Sequence, residues 1–493
     1  MRRDGAAIVR RRGESPRLPR RAPPLAGSPP PPRAPDPARS APPSWKSLLA
    51  LLSLALSLLL WINGLLDSLQ RPSVADDLSL RQLELGVLAA EVVPEAVRPA
   101  LLGSDPRAEL AKEMQRRMET AETPAPVVER LALSLLEEAG GSGDTTRLRE
   151  LREMVAAERR PLLSALIDGQ QLPAETRRQL LAPWRSDRLL EQLVCERLAG
   201  GGSACPAERD RTGLLLRLLG VSVVPALLVL LGVVLLLREG WRQWRRRAPP
   251  APPLQGPPLD LVDVTLLIAG AFVVLGEVLV PLIAQPLLRA LLEQLGLRGE
   301  TASGVMVFDL YLLLMLAPLL LLRLLLRRRS TPPAGGWLQW FWRPPAGALR
   351  QALHGLLLVL PLVALVGWLI ERFWSEAGGS NPLLEMVLTG RDPVALACLA
   401  LTALVLAPLF EETLFRGVLL PVVGRRYGGP TAVVASAAIF ALAHLSLSEL
   451  APLFVLGLGL GWLRWRSGRL ASCALMHGLW NGMTFANLLL LGL

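Results

Sequence analysis

Two adjacent glutamates and one arginine interrupt an apolar stretch near residue 410. Glu411, Glu412 and Arg416 stand there among leucine, phenylalanine and valine. An ionisable side chain at membrane depth costs about 2.5–3.5 kcal/mol on insertion scales, so such residues are functional candidates. Glu412 and Arg416 are four residues apart with the acid first, which favours an ion pair on one helix face. Glu411 points about 100° away around the helix, which leaves it the better candidate for a general base. A purely structural ion network of all three is the alternative.

Two of the three histidines in the chain fall in its last apolar stretches. His444 ends the run that begins at Phe440, and His477 is followed by Asn481 on the same helical face. One buried histidine alone is more often a structural residue. Two of them, with a glutamate pair and an asparagine on three nearby predicted spans, favour a shared site within the membrane.

Long apolar blocks must position these side chains. Of 493 residues, 51% are hydrophobic, and many are gathered into Leu-rich runs near the roughly 20 residues that a spanning helix needs. Continuous rather than alternating runs favour helices over a barrel. The fold prediction is an all-α polytopic membrane protein with about nine transmembrane helices and an inserted helical soluble domain. The predicted spans cover approximately residues 47–66, 214–237, 259–283, 304–326, 352–373, 393–423, 430–447, 450–465 and 471–491.

The composition also divides the chain into segments. The predicted organisation is a disordered Arg/Pro-rich cytoplasmic tail (1–44), a first transmembrane helix (45–66), a helical extracytoplasmic soluble domain (67–212), transmembrane helices two to four with cytoplasmic linkers (213–349), and a C-terminal domain with the candidate site (350–493). In the soluble domain, helical periodicity predicts one helix around Leu131 and Leu135 and another beginning near Pro173.

Arginine placement predicts the topology. The net charge is +11, but the arginines cluster beside the apolar blocks, which is typical of positive-inside determinants rather than of nucleic-acid binding. Nine spans threaded from a cytoplasmic N-terminus bring four later clusters, near residues 242–247, 327–329, 425–426 and 464–469, to the cytoplasmic side. The expected location is a plasma (inner) membrane or a thylakoid or other organelle membrane. The expected partners are the lipid bilayer and a membrane-associated protein or peptide substrate, with no nucleic acid.

Cys195 and Cys205 flank a Gly-rich loop in the segment predicted to lie outside the cytoplasm. Such a loop can bring two Cα atoms within the roughly 4.4–6.8 Å that a disulfide requires, and disulfides persist in oxidising compartments. The hypothesis is a Cys195–Cys205 disulfide, and the alternative is two free thiols.

The order of these motifs resembles the CPBP family, which includes the type II CAAX prenyl endopeptidases and Abi-like proteins. Glu-Glu-x-x-x-Arg, Phe-x-x-x-His and His-x-x-x-Asn follow one another, and the resemblance covers roughly residues 350–493. It implies an intramembrane endopeptidase. Glu411 and His444 would activate the attacking water, and His477 and Asn481 would stabilise the oxyanion. Glu412 and Arg416 would complete the motif and hold the helix.

Three questions stay open at this level. A glutamate and two histidines can hold a catalytic zinc with one open position, but metal-independent chemistry is about equally compatible with the residues. A non-catalytic Abi-like immunity or scaffold protein is a second possibility, but it would not need all of Glu411, His444, His477 and Asn481. A transporter would use the polar cavity as a substrate path, yet the sequence has no visible repeat of the kind many transporters carry.

Overall fold

The computed structural model describes residues 44–71, 74–120, 124–137, 145–184, 187–199, 205–245, 251–327, 331–374 and 379–492. Within these ranges the regular elements are helices and no strand occurs, which confirms the all-α prediction. Apart from Ser44, which begins the first helix, the predicted disordered tail lies outside the described residues.

Nineteen helices follow one another along the described residues. In chain order they are α1 (Ser44–Ser68), α2 (Val74–Ala90), α3 (Arg98–Leu102), α4 (Pro106–Thr120), α5 (Val127–Glu137), α6 (Thr146–Met154), α7 (Arg160–Ile167), α8 (Ala174–Leu181), α9 (Arg188–Leu198), α10 (Pro206–Arg209), α11 (Arg211–Trp244), α12 (Leu261–Gln294), α13 (Gly299–Leu326), α14 (Pro345–Phe373), α15 (Pro382–Thr389), α16 (Pro393–Tyr427), α17 (Gly429–Leu442), α18 (Leu447–Ser467) and α19 (Leu470–Gly492). The predicted soluble-domain helices correspond to α5 and α8.

Among the described residues, seven helices are long and apolar enough to cross a bilayer, namely α1, α11, α12, α13, α14, α16 and α18. They correspond to seven of the nine predicted spans, and the protein is a multi-pass integral membrane protein. The other two predicted spans are helices of a different kind. α17 has 14 residues, about 21 Å of helix against a hydrocarbon core of about 30 Å. α19 has 23 residues, but the polar side chains of His477, Asn481 and Asn487 lower its hydropathy.

Side-chain caps define where several helices begin. Asp187 accepts a hydrogen bond from the Leu190 N–H at the start of α9, and Asp392 accepts one from the Ala395 N–H at the start of α16. Ser446 caps α18 in the same way. These acceptors satisfy backbone N–H groups that have no partner within the first helical turn.

The segment between α1 and α11 has a core of its own. Leu110, Leu131, Leu163 and Leu190, from four different helices, are fully buried there around Trp184. Burying a leucine side chain contributes about 1.5–3 kcal/mol, so this region is stabilised independently of the lipid-facing helices.

The predicted disulfide is present. Cys195 at the end of α9 is bonded to Cys205 just before α10, with the two Cα atoms 5.8 Å apart. The cross-link holds the start of α10 against α9. The compartment that this region faces stays a prediction.

A separate apolar cluster joins the soluble region to the membrane bundle. Leu88 of α2 and Leu214 of α11 are buried there with Leu388 of α15, Leu399 of α16 and Leu488 of α19. One end of α19 is therefore held by soluble-region helices. The same helix carries His477 and Asn481 toward the middle of the bundle.

Candidate active site

Helix α16 is irregular around the two glutamates. The stretch Ala407–Glu412 is α-helical, but Thr402–Leu406 before it and Thr413–Leu419 after it are π-helical. A π-helical turn adds a residue and redirects the side chains around it, and such turns are frequent at functional sites. Glu411 and Glu412 thus lie where the helix changes its winding twice.

Asn481 closes a gap in the backbone bonding of α16. In the π-helical pattern the Ala403 carbonyl would accept from residue 408, which is Pro408 and has no N–H. The Ala407 N–H already bonds to the carbonyl of Thr402. Asn481 Nδ2 donates to the Ala403 oxygen at 2.8 Å, so α19 is tied to α16 at this point. The amide nitrogen carries a second hydrogen, which this contact does not use.

The ion pair that the four-residue spacing predicts is present. Arg416 Nη1 donates to Glu412 Oε1 at 2.9 Å, and both side chains are fully buried. Arg416 Nη2 also donates to the Gly457 carbonyl at 3.1 Å. A Cβ at Gly457 would lie 2.9 Å from the Ala437 Cα, so glycine is needed where α17 and α18 approach most closely. The guanidinium thus joins α16 to α18.

Glu412 also orients His477. The Nδ1 atom of His477 lies 3.0 Å from Glu412 Oε1. A carboxylate that is paired with an arginine can only accept, so Nδ1 carries the proton in this contact. Nε2 then faces the other glutamate, at 4.0 Å from Glu411 Oε2.

Glu411 has one occupied and one free oxygen. Tyr311 of α13 donates its hydroxyl to Glu411 Oε1 at 3.0 Å. Oε2 is buried and has no hydrogen-bond partner among the described residues. Our sequence reasoning missed Tyr311. The available signal was that the chain has only two tyrosines and that this one stands in the middle of an apolar span.

The charges of this cluster balance with one shared proton. Glu411, Glu412, Arg416 and His477 are mutually close and mostly buried. Their net charge is zero when one titratable proton is held either on His477 Nε2 or on Glu411 Oε2. Because an uncompensated buried charge is costly, the arrangement favours keeping one proton between these two atoms. Moving this proton from one of the two atoms to the other leaves the net charge of the cluster unchanged.

Phe440 connects the second histidine to this cluster. Its ring packs against His444 at a centroid distance of 4.7 Å and against His477 at 5.6 Å, and the Arg416 guanidinium carbon lies 4.4 Å from the ring centroid. His444 Nδ1 lies 2.7 Å from the Phe440 carbonyl. Since a carbonyl only accepts, Nδ1 carries the proton, and the Nε2 of a neutral His444 keeps a lone pair.

The predicted site residues therefore occupy three kinds of position. Glu411, Glu412, Arg416 and His477 form the central cluster. His444 joins it through Phe440, and Asn481 lies one helical turn from His477 and bonds to α16. The catalytic roles that the resemblance implies for these residues stay predictions.

The zinc alternative requires at least three ligands around one point. Throughout the described ranges, no three His, Cys, Asp or Glu side chains are grouped as a metal site requires. Glu412 Oε1 is already occupied by Arg416 and His477. The residues as placed do not fit a zinc ion.

Comparison with protein families gives two matches, one in each region. Residues 75–216, in the soluble region, match a domain of unknown function (DUF8675). Residues 393–483, which contain every candidate site residue, match the model described as type II CAAX prenyl endopeptidase Rce1-like. The searches of curated proteins and of solved structures found no match. Residues 393–483 are thus similar to the Rce1-like type II CAAX prenyl endopeptidases, which matches the family that the motifs predict.

Proposed function

We propose that the protein is an intramembrane endopeptidase that hydrolyses a peptide bond of a membrane-associated protein with a water activated by Glu411. One observation carries the proposal. The buried Oε2 of Glu411 has no hydrogen-bond partner in the described structure and faces His477 Nε2 across 4.0 Å. This pairs a free carboxylate with an imidazole in an environment that excludes bulk water. That is the arrangement a general base needs.

The reaction follows from the proton positions. Glu411 Oε2 takes a proton from water, and the water oxygen bonds to the scissile carbonyl carbon. The carbonyl oxygen becomes an oxyanion, to which protonated His477 Nε2 and the remaining Asn481 N–H donate. The tetrahedral intermediate then collapses, the C–N bond breaks, and Glu411 returns its proton to the leaving amine.

His444 supports the same step from the other side. With Nδ1 donating to the Phe440 carbonyl, its Nε2 is an acceptor that can orient the second hydrogen of the attacking water. Glu412 and Arg416 take no part in the bond changes. They hold His477 with Nε2 directed at Glu411, which is a positioning function.

The substrate proposal comes from the family match. A type II CAAX prenyl endopeptidase Rce1-like domain suggests a lipid-anchored protein cut close to its C-terminus. We further propose that the N-terminus faces the cytoplasm and that the soluble region faces the opposite side, in a plasma or organelle membrane. The arginine clusters beside the spans support this orientation.

The test is a comparison of membrane proteomes from cells that contain the wild-type chain, Glu411→Gln or Glu371→Gln. Glu371 is exposed at the end of α14 and serves as a matched control. C-terminal fragments present with the wild type and with Glu371→Gln should disappear with Glu411→Gln, because the amide cannot accept the water proton. Identical fragments in all three samples would reject the proposal and favour a non-catalytic scaffold.

The purified chain also tests the metal question. Under the proposed mechanism, cleavage continues in protein that elemental analysis finds metal-free. Reversible inhibition by a chelator, together with about one metal ion per chain, would instead support the zinc alternative.

A further inference from the structure

The carboxylate that the proposed mechanism uses is bonded to a residue outside the Rce1-like segment. Tyr311 lies on α13, whereas the family match begins at residue 393. Its hydroxyl donates to Glu411 Oε1 at 3.0 Å, across 100 residues of sequence. We propose that Tyr311 is a positioning residue for Glu411, fixing one carboxylate oxygen so that the other faces His477. Its catalytic consequence rests on the proposed function.

The position of the tyrosine ring is well determined by packing. The ring stands edge-on to Phe410, the residue before Glu411, at a centroid distance of 6.3 Å and an interplanar angle of 86°. Helices α13 and α16 also approach closely near Gly304, where a Cβ would lie 2.5 Å from the Ala395 Cα. The two helices that carry Tyr311 and Glu411 are therefore closely packed at that point.

The chemistry of a phenol suits this task. Lysine or arginine at this position would form an ion pair with Glu411 and oppose proton uptake. A tyrosine hydroxyl is neutral, so it can hold one oxygen of the carboxylate and leave the charge available to the other. A hydrogen bond to a charged acceptor is about twice as strong as one between neutral groups. The bond thus orients Glu411.

Other ionisable groups surround this contact. Glu277 of α12 interacts electrostatically with both Glu411 and Tyr311. Glu412 and Arg416 stand on the helix of Glu411, and His477 faces it from α19. His444 follows α17 beyond Phe440. Any measured titration of Glu411 therefore needs a comparison in which Glu277 is neutral.

The variant is Tyr311→Phe in the full-length chain, which removes the hydroxyl and keeps the ring. The control is Tyr427→Phe, because Tyr427 is the only other tyrosine in the chain and is exposed at the end of α16. The first measurement is infrared titration of the Glu411 carboxyl band, identified by its loss in Glu411→Gln and repeated on a Glu277→Gln background. With Tyr311→Phe, the Glu411 band and its titration should change, because the hydrogen bond to Oε1 is gone. With Tyr427→Phe neither should change.

The second measurement uses a synthetic peptide that spans a cleavage site found in the proteome comparison. Tyr311→Phe should lower kcat by about 10- to 100-fold, the range for losing a hydrogen bond to a charged group. KM should stay unchanged, and the pH–rate profile should differ from that of the wild type. Tyr427→Phe should match the wild type.

Separate outcomes overturn the two proposals. If Glu411→Gln is inactive while Tyr311→Phe keeps the wild-type kcat, pH profile and infrared titration, the positioning role is wrong and the proposed function stands. A fall in kcat without a shift in either titration also rejects it, since that would be a packing effect. If Glu411→Gln remains active, the proposed function fails, and the infrared titration alone decides whether Tyr311 controls Glu411.

Discussion

The soluble region and the membrane bundle contain the same kinds of charged pair but bury them differently. In the soluble region, Arg107 and Glu196 meet at 2.7 Å with side chains 27% and 26% exposed. In the bundle, Arg416 and Glu412 meet at 2.9 Å with both at 0%. Partly exposed pairs contribute about 0–1 kcal/mol, whereas separating a buried pair costs about 3–5 kcal/mol. The buried pair therefore makes the site rigid, and the exposed pair has little effect on stability.

The two regions also differ in their cysteines. Cys195 and Cys205 of the soluble region are bonded, while Cys398 and Cys473 of the bundle are unpaired. Glu84 is an acid of the soluble region that is largely buried. Burial raises its pKa to about 7, and the opposite charge of Arg81 lowers it only in part. Each difference can be tested on the full-length chain.

The largest expected effect is on the buried ion pair. Glu412→Gln leaves the Arg416 guanidinium buried without its counter-charge and should lower the free energy of unfolding by about 3–5 kcal/mol. Glu196→Gln, which breaks the exposed pair with Arg107, should change it by about 0–1 kcal/mol. Unfolding in detergent with increasing denaturant measures both. Equal losses in the two variants would contradict the comparison.

An intermediate effect is expected from the disulfide. Reducing the Cys195–Cys205 bond should destabilise the soluble region by somewhat less than the ~3 kcal/mol typical of a 15-residue loop, because this loop is shorter. Thiol labelling of denatured, unreduced membranes should modify two cysteines per chain, Cys398 and Cys473. Four labelled cysteines would reject the bond in the native protein. They would also count against an extracytoplasmic soluble region.

The smallest expected effect is the pH dependence set by Glu84. Its folded pKa is raised from 4.5 to about 7, so the folded state binds more protons than the unfolded state between these values, and stability falls as pH rises. Glu84→Gln should therefore stabilise α2 by about 1–2 kcal/mol at pH 8 and much less at pH 5. Amide hydrogen exchange in α2 of the full-length chain measures this.

Glu113 provides a control of opposite sign for that experiment. A hydrogen bond from Arg116 lowers the pKa of Glu113, so its contribution is present at neutral pH and is lost as pH falls. Glu113→Gln should slightly destabilise α4 at pH 8. A pH-independent effect of Glu84→Gln would mean that this carboxyl does not titrate in the neutral range.

Local sequence patterns were sufficient for much of this protein. The apolar blocks predicted a helical membrane fold, because backbone groups in lipid must be paired within each segment. The spacing of Glu412 and Arg416 predicted their ion pair, because residues four apart share a helix face. The short Gly-rich loop between Cys195 and Cys205 predicted their bond. In each case the interacting residues are close in sequence.

The tertiary structure decided the contacts between distant helices. Tyr311 bonds to Glu411, His477 is oriented by Glu412, and Asn481 completes the bonding of α16. It also decided the length of α17, which at 14 residues is shorter than a spanning helix requires. Such features depend on the rotation and depth of each helix against its neighbours. Hydrophobic periodicity constrains which face is buried but not which partner that face meets.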